Sequence, residues 1–292
     1  MQVIRAETNN WDLLAAKVHE ERLHLVFDAF RGHAIEPILI KGWAAARNYP
    51  SHHLRQMGDI DIAVAPNEYD RAKVIWKDPE LGRHNVDLHN GLRHLDSLSW
   101  DDLFGNSLLI DLNASQIRVL RPEDHLRVLC THWLNDGGEY KEKLWDVYYA
   151  VANRPNEFDW SRCLDAVDQN RRRWVICAIA LAHCYLGLEV DDLPFADELN
   201  HVPKWIINCI EKGWQQERLE PVLTTVRDRK HLFRQIGRRL PPNPIRATIE
   251  ANGDLYGSRR WLYQAAVLVR RAGPFIRGSF SMLRNSLRNR AK

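Results

Sequence analysis

The sequence predicts an α+β protein in which a small mixed-sheet domain is followed by an all-helical domain. Short apolar runs with period-two alternation are confined to the part before residue 121, whereas apolar spacings of three and four dominate after Pro122. The breaker Pro241-Pro242-Asn243-Pro244 then precedes a basic end. We therefore expect a sheet domain over residues 1–120, a helical bundle over 121–240, and a linker with a basic helical tail over 241–292.

The chain opens with a predicted helix and a strand that ends in a glycine turn. Apolar residues spaced three and four apart predict an amphipathic helix over Trp11–Phe30. The apolar run Ile38–Ile40 predicts a strand that ends at Lys41-Gly42, and the alanine-rich stretch Trp43–Asn48 favours a short helix. A turn between a strand and a helix brings backbone N–H groups and a lysine ammonium to a place that suits a phosphate.

The other predicted elements of this part are a strand over Asp59–Val64, a short helix over Asn67–Trp76, and strands over Asn85–His89, Ser107–Leu112 and Gln116–Leu120. The first two of these strands alternate polar and apolar residues, and Pro66 ends the first of them. The last two are separated by the turn residues Asn113-Ala114-Ser115.

Helical periodicity takes over beyond Pro122. The predicted helices are Glu123–Leu134, Lys141–Ala152, Trp160–Asp168, Trp174–Leu186, Pro203–Lys212 and Glu220–Ile236, with basic helices over Trp261–Arg271 and Phe280–Leu287. This part of the sequence is typical of a helical bundle.

The composition excludes several classes of protein. The chain has 292 residues, of which 45% are hydrophobic and 27% charged, which suits a globular protein rather than a disordered or collagen-like one. No apolar run approaches the ~20 residues of a transmembrane helix. The first fifteen residues lack a basic stretch followed by an apolar one, so we expect no secretory signal and a cytoplasmic protein. Five cysteines without a CxxC pair indicate reduced core thiols.

The charge is unevenly distributed. The net charge is only +3, yet the segment from Leu255 to Lys292 holds nine basic residues and no acidic one. This segment is either a solvated or packed helical face, a contact for an anionic macromolecule, or a helix on a membrane surface.

Three aspartates form the candidate metal site. Asp59 and Asp61 are two residues apart on a predicted strand, so both carboxylates project from one face. Asp87, on the next predicted strand, supplies a third carboxylate. Carboxylate oxygens are preferred ligands of Mg²⁺, which takes further oxygens from water and substrate phosphates. An open three-carboxylate site therefore suits nucleotide chemistry.

These motifs together resemble a known family. In order, they are Ile38-Leu39-Ile40-Lys41-Gly42, Tyr49-Pro50, Arg55-x-x-Gly58-Asp59-Ile60-Asp61, Val86-Asp87-Leu88-His89 and Val119-Leu120-Arg121-Pro122-Glu123-Asp124. Over roughly residues 10 to 190 the chain is similar to uncharacterised bacterial nucleotidyltransferases of the DNA polymerase beta superfamily. Lys41-Gly42 stands where that superfamily usually has Gly-Ser, and the interval from Asp61 to Asp87 is short for it.

The resemblance implies roles for six residues. Asp59, Asp61 and Asp87 would bind one or two Mg²⁺ ions, with Asp87 as the base that deprotonates the acceptor. Lys41, Gly42 and Arg55 would contact the phosphates of a nucleoside triphosphate, with ATP as the expected donor. The reaction would be in-line attack on the α-phosphorus with release of pyrophosphate. The acceptor would be a hydroxyl or amine of a peptide, a protein or a small molecule.

Two alternatives stay open at the level of the sequence. One is a degenerate nucleotide-binding module that docks a partner through its basic tail, and the other is a transferase that acts on nucleic acid. His89 is placed outside the catalytic set, and His125, His132 and His183 are interpreted as core or interface residues. Asp146 either faces the nucleotide-binding domain or caps a buried polar contact.

Overall fold

The computed structural model describes residues 10–92, 95–113, 115–216 and 240–270. Its sheet has five strands in the order β3-β2-β1-β5-β4. The strands are β1 (Ile38–Leu39), β2 (Ile60–Val64), β3 (Val86–Asn90), β4 (Leu108–Leu112) and β5 (Ser115–Val119). The pairs β1–β5 and β2–β3 are parallel, whereas β1–β2 and β4–β5 are antiparallel. The predicted mixed sheet is confirmed.

The helices that accompany the sheet strands along the chain are α1 (Asn10–Gly32), α2 (Trp43–Ala46), α3 (Tyr69–Trp76), α4 (Pro79–Gly82) and α5 (Trp100–Gly105). The helices that follow it are α6 (Pro122–Asn135), α7 (Leu144–Ala152), α8 (Trp160–Leu164), α9 (Gln169–Leu186), α10 (Lys204–Gln215) and α11 (Pro244–Glu250). Residues 260–270 are also helical. The order of a sheet followed by a helical region agrees with the predicted fold class.

Alternation along the strands divides the core into two layers. Ile60 and Ile62 of β2 pack with Phe27 of α1 and its neighbours on one side. Ala63 lies in the other layer, with Val128 of α6. Because successive side chains of a strand point to opposite faces, β2 serves both layers at once.

The largest difference from the predicted boundaries lies between α8 and α9. The prediction ended a helix at Asp168 and began the next at Trp174, whereas α8 ends at Leu164 and α9 begins at Gln169. The Asp168 side chain accepts hydrogen bonds from the backbone N–H groups of Asn170 and Arg171, so this residue is a helix N-cap rather than a helix end. The predicted helices Glu220–Ile236 and Phe280–Leu287 lie outside the described residues.

Contacts divide the chain into two compact units. The first comprises Met1–Trp133 with Lys141–Val202, and the second comprises Leu134–Tyr140 with Pro203–Lys292. In the second, Asn243 caps α11 and donates to the carbonyl oxygen of Gly137. The division of the chain into domains near residues 120 and 240 stays a prediction.

The composition predicts reduced core thiols and no membrane-spanning helix. Cys130, Cys163 and Cys177 are buried free thiols as expected, whereas Cys184 is exposed. Across the described ranges, none of the helices combines the length and the apolar character that crossing a membrane requires.

A buried ionic network holds α6 within the first unit. Arg127 donates to Asp96 at 2.8 Å, to Asp124 at 2.5 Å and to the carbonyl oxygen of Arg162. Arg162 in turn donates to Asp124 and to Asp102 of α5. Because Arg127, Asp96 and Asp124 are almost fully buried, each charge depends on the others for its stability.

We expect Arg127→Met to lower the free energy of unfolding by about 3–5 kcal/mol, because it leaves buried carboxylates without their partner. Lys73→Met is the matched control, since its pair with Asp70 is exposed and its removal should change the free energy of unfolding far less. Urea denaturation of both variants measures the difference. Equal losses would show that the buried network does not stabilise the fold.

Candidate active site

The register between β2 and β3 brings the polar side chains of both strands together. Asp61 lies opposite Asp87, and Ala63 lies opposite His89, in a parallel pair. Ile60, Ile62 and their neighbour in β3, Leu88, belong to the core layer on the other face of the sheet. The alternation that buries the isoleucines therefore turns the two aspartates and His89 toward the opposite face.

Asp61, Asp87 and His89 form a cluster that can hold a metal ion. One potential ligand atom from each lies within 4.8 Å of the others. His89 Nε2 is 3.4 Å from Asp61 Oδ1 and 3.2 Å from Asp87 Oδ2. Asp61 is buried and Asp87 is exposed, so the cluster reaches from the core to the surface.

Lys41 lies at the end of β1, beside this cluster. Its Nζ is 2.5 Å from Asp61 Oδ1 and 3.5 Å from His132 Nε2 on α6. Lys41 is itself buried. Its ammonium therefore loses most of its hydration on folding and gains the contact with Asp61 in its place.

Gly42 gives the adjoining turn its shape. Its φ of 61° and ψ of −118° are strained for any residue with a side chain. A Cβ atom at Gly42 would lie 3.6 Å from the carbonyl oxygen of Asp59 and 3.9 Å from His19 Nε2. The turn after β1 thus lies against the residues that lead into β2.

The charges of the cluster shift the pKa values of its members. Burial opposes the charged form of Asp61, but contacts with His89 and Lys41 outweigh burial and lower its pKa to about 2. Burial also opposes the charged form of His89, but hydrogen bonds to Asp61 and Asp87 raise its pKa to about 9. The hydrogen bond from His89 lowers the pKa of Asp87. At neutral pH two cations therefore balance two carboxylates.

The other predicted residues lie in different surroundings. Asp59 is exposed in a bend directly before β2 and is not a member of the three-residue cluster. Arg55 donates through Nε and Nη2 to both carboxylate oxygens of Asp146 on α7, at 2.7 and 2.8 Å. Tyr49 donates to the same carboxylate at 2.7 Å. Asp146 thus makes a buried polar contact, one of the two roles expected for it.

Sequence reasoning missed two histidines of this region. The sequence places His89 on the same strand face as Asp87 but outside the catalytic set, and the structure brings its imidazole into the cluster with Asp61 and Asp87. His132 contacts Lys41, although the two residues are 91 positions apart in the sequence, and no local pattern indicates such a contact. His125 is fully buried, as expected of a core histidine, and burial lowers its pKa to about 3.

Comparison with known proteins gives one family. A family model described as "Uncharacterised nucleotidyltransferase" matches residues 9–187, which is more than half of the chain. The matched range begins just before α1 and includes the whole sheet, Lys41 and the Asp61 cluster. No curated protein and no solved structure matches the chain. The expected bacterial origin and the DNA polymerase beta superfamily stay predictions.

We expect the His89 imidazole of the metal-free protein to titrate near pH 9, well above its ordinary value. Its ion pairs therefore stabilise the fold fully below pH 6.5, and this contribution is lost as the pH rises through about 9. Asp87→Asn should lower the pKa of His89, and the remote Asp111→Asn should leave it unchanged. Histidine side-chain NMR measures both, and an unshifted His89 in wild type would contradict the ion pairs.

Proposed function

The chain belongs to this nucleotidyltransferase family and is a transferase, and from that premise we propose that it transfers a nucleoside monophosphate in a Mg²⁺-dependent reaction. The donor is a nucleoside triphosphate, with ATP as the expected one, and pyrophosphate is released. The acceptor is a hydroxyl or amine of a peptide, a protein or a small molecule. The observation that supports this most is the Asp61, Asp87 and His89 cluster beside Lys41.

The donor atoms of the cluster fit Mg²⁺ through their carboxylates. Mg²⁺ prefers oxygen ligands and is commonly held by one or two carboxylates together with substrate phosphates, whereas an imidazole suits other metals better. Asp61 and Asp87 would therefore be ligands, together with the exposed Asp59. His89 would orient both carboxylates through its hydrogen bonds. When bound, the metal supplies charge neutralisation at the phosphates and activation of the attacking group.

Lys41 and Gly42 are proposed to bind the triphosphate. Lys41 Nζ now neutralises Asp61, and a cation bound at Asp61 would compete with it for the same carboxylate. The lysine ammonium is then available to a phosphate, a role for which a mobile point charge is well suited. Gly42 keeps the turn free of a side chain, so that a phosphate can approach the backbone.

Arg55 is proposed to contact the same phosphates. Asp146 holds two of its nitrogen atoms, and Nη1 makes only a long contact of 3.4 Å to the carbonyl oxygen of Gln56. A guanidinium fixed in this way is oriented before the substrate binds, which reduces the entropy lost on binding.

Asp87 is proposed to receive the proton of the acceptor. Its side chain is 57% exposed, so an acceptor can reach it from solvent. In the metal-free cluster, hydrogen bonds to Asp61 and Asp87 raise the pKa of His89 to about 9, so its imidazolium donates to both carboxylates.

The double variant Asp59→Asn with Asp61→Asn should abolish transfer, because it removes two carboxylates from the metal site. We expect a loss of about a thousandfold or more in rate, since the metal supplies several kcal/mol of transition-state stabilisation. The assay follows pyrophosphate release, together with thermal shift and calorimetry of the four ribonucleoside triphosphates with and without Mg²⁺.

The matched control is Asp70→Asn with Asp111→Asn, which removes two carboxylates that are not in the cluster. It should behave as wild type. Transfer retained by the Asp59 and Asp61 variant would show that the metal assignment is wrong. Metal-dependent binding of a triphosphate without turnover, with every acceptor class supplied, would favour the degenerate binding module.

Lys41→Met should weaken triphosphate binding at least about tenfold while the chain stays folded, because a charge-assisted contact to phosphate is lost. Loss of the ammonium should also raise the pKa of Asp61 above its present value of about 2. Lys41→Arg keeps the charge and should bind more tightly than Lys41→Met. Calorimetry with ATP and Mg²⁺ measures the effect, and equal affinity of wild type and Lys41→Met would exclude Lys41 from the phosphate site.

A further inference from the structure

A groove of about 1000 Å³ lies between the outer surfaces of α1 and α3. Its apolar lining consists of Leu25, Ala29, Val74, Ile75 and Leu81. Its basic lining consists of His33, Arg71, Lys77, Arg83 and His84. None of these residues belongs to the metal cluster or to the Lys41-Gly42 turn.

The groove is separated from the active site by the sheet. Ile60 and Ile62 of β2 pack against the layer that contains α1 and α3, whereas Asp61 points to the other face. Leu81, on the floor of the groove, belongs to the same apolar layer as the isoleucines. The groove is therefore a second surface, behind the one that carries the proposed chemistry.

The apolar residues of the groove come from two helices. Leu25 and Ala29 are four residues apart on α1 and share one face of that helix. Val74 and Ile75 are neighbours on α3, and Ile75 also packs against the core. Leu25 is 55% exposed and Val74 is 73% exposed, so these two side chains meet water rather than another part of the described chain.

The rim of the groove is positively charged. Arg71, Lys77 and Arg83 contribute three cations, and among the described residues that line the groove Asp78 is the one carboxylate. Beside the lining, Glu68 lies 3.8 Å from Arg71, and the rim keeps an excess of positive charge. Burial lowers the pKa of His84, and the positive charges of Arg83 and of Arg22 on α1 lower it further. An apolar floor with a basic rim complements an acidic segment that carries apolar side chains.

We infer that this groove docks an acidic amphipathic peptide segment of a partner protein. A second copy of the chain fits less well, since a symmetric interface would set one basic rim against another. A membrane also fits less well, because the apolar side chains line a groove with Leu81 recessed in it, whereas a flat bilayer is bound by a protruding apolar surface. The inference does not depend on the proposed transfer reaction.

The test is a selection from a random dodecapeptide display library on the full chain, followed by fluorescence anisotropy of the enriched peptides. We expect enriched sequences with net negative charge and apolar residues three or four positions apart. Leu25→Glu with Val74→Glu should weaken their binding about tenfold or more, because both changes place carboxylates against an acidic ligand. Added salt should weaken wild-type binding.

Leu14→Glu is the matched control, since Leu14 is an exposed apolar residue of α1 that does not line the groove. It should bind the peptides as wild type does. Circular dichroism checks that both variants stay folded, which exposed positions permit. Enrichment of neutral or basic peptides only, or peptides bound equally by the groove variant, would overturn the inference.

Two further measurements separate the other occupants. Sedimentation velocity of wild type and the groove variant would overturn the inference if it showed a dimer that the variant loses. Flotation with phosphatidylglycerol vesicles would do so if wild type bound them and the groove variant did not. Transfer activity is read separately, and a groove variant that keeps it distinguishes failure of this inference from failure of the proposed function.

Discussion

The parallel register of β2 and β3 is the constraint on which both the core and the candidate site depend. It sets Asp61 opposite Asp87 and Ala63 opposite His89. A slip of one residue would place an aspartate opposite an apolar residue. It would also move the apolar side chains of β3 to the face of the sheet that now carries Asp87 and His89. The apolar side chains that hold the register in place alternate with the polar side chains of the site, so core packing fixes the geometry of the cluster.

Burial of charge is the second constraint, and the chain meets it in the same way at two places. At the site, Lys41 and His89 neutralise Asp61 and Asp87. At α6, Arg127 and Arg162 share the carboxylate of Asp124, and Arg127 also pairs with Asp96. The two differ in access: Arg127, Asp96 and Asp124 are almost fully buried, whereas Asp87 is exposed. Of these two clusters, the site is the one that offers its charges to a ligand.

Local patterns in the sequence predicted the strands and most helices, but not the contacts between residues far apart in the sequence. Alternation predicted the two strands that carry Asp61 and Asp87, because a strand has a period of two wherever one face is buried. An apolar run predicted the first strand, and turn residues separated the last two. The start of α9 was missed because an Asp168 side chain caps it, and aspartate is equally common in turns. The pairs Arg55–Asp146 and Lys41–His132 each join residues 91 positions apart. Such contacts depend on tertiary packing, so only a three-dimensional structure reveals them.

The two faces of the sheet assign different tasks to adjacent residues of β2. Asp61 belongs to the site, while Ile60 and Ile62 support the layer that forms the groove. The groove and the cluster lie on opposite faces of the sheet, so a segment docked in the groove makes no contact with Asp61, Asp87 or His89. Docking would instead raise the effective concentration, at the cluster, of an acceptor group carried by the partner. This requires a partner chain long enough to pass around the sheet edge at β3. In this arrangement, substitutions in the groove change affinity for a partner, and substitutions in the cluster change the chemistry.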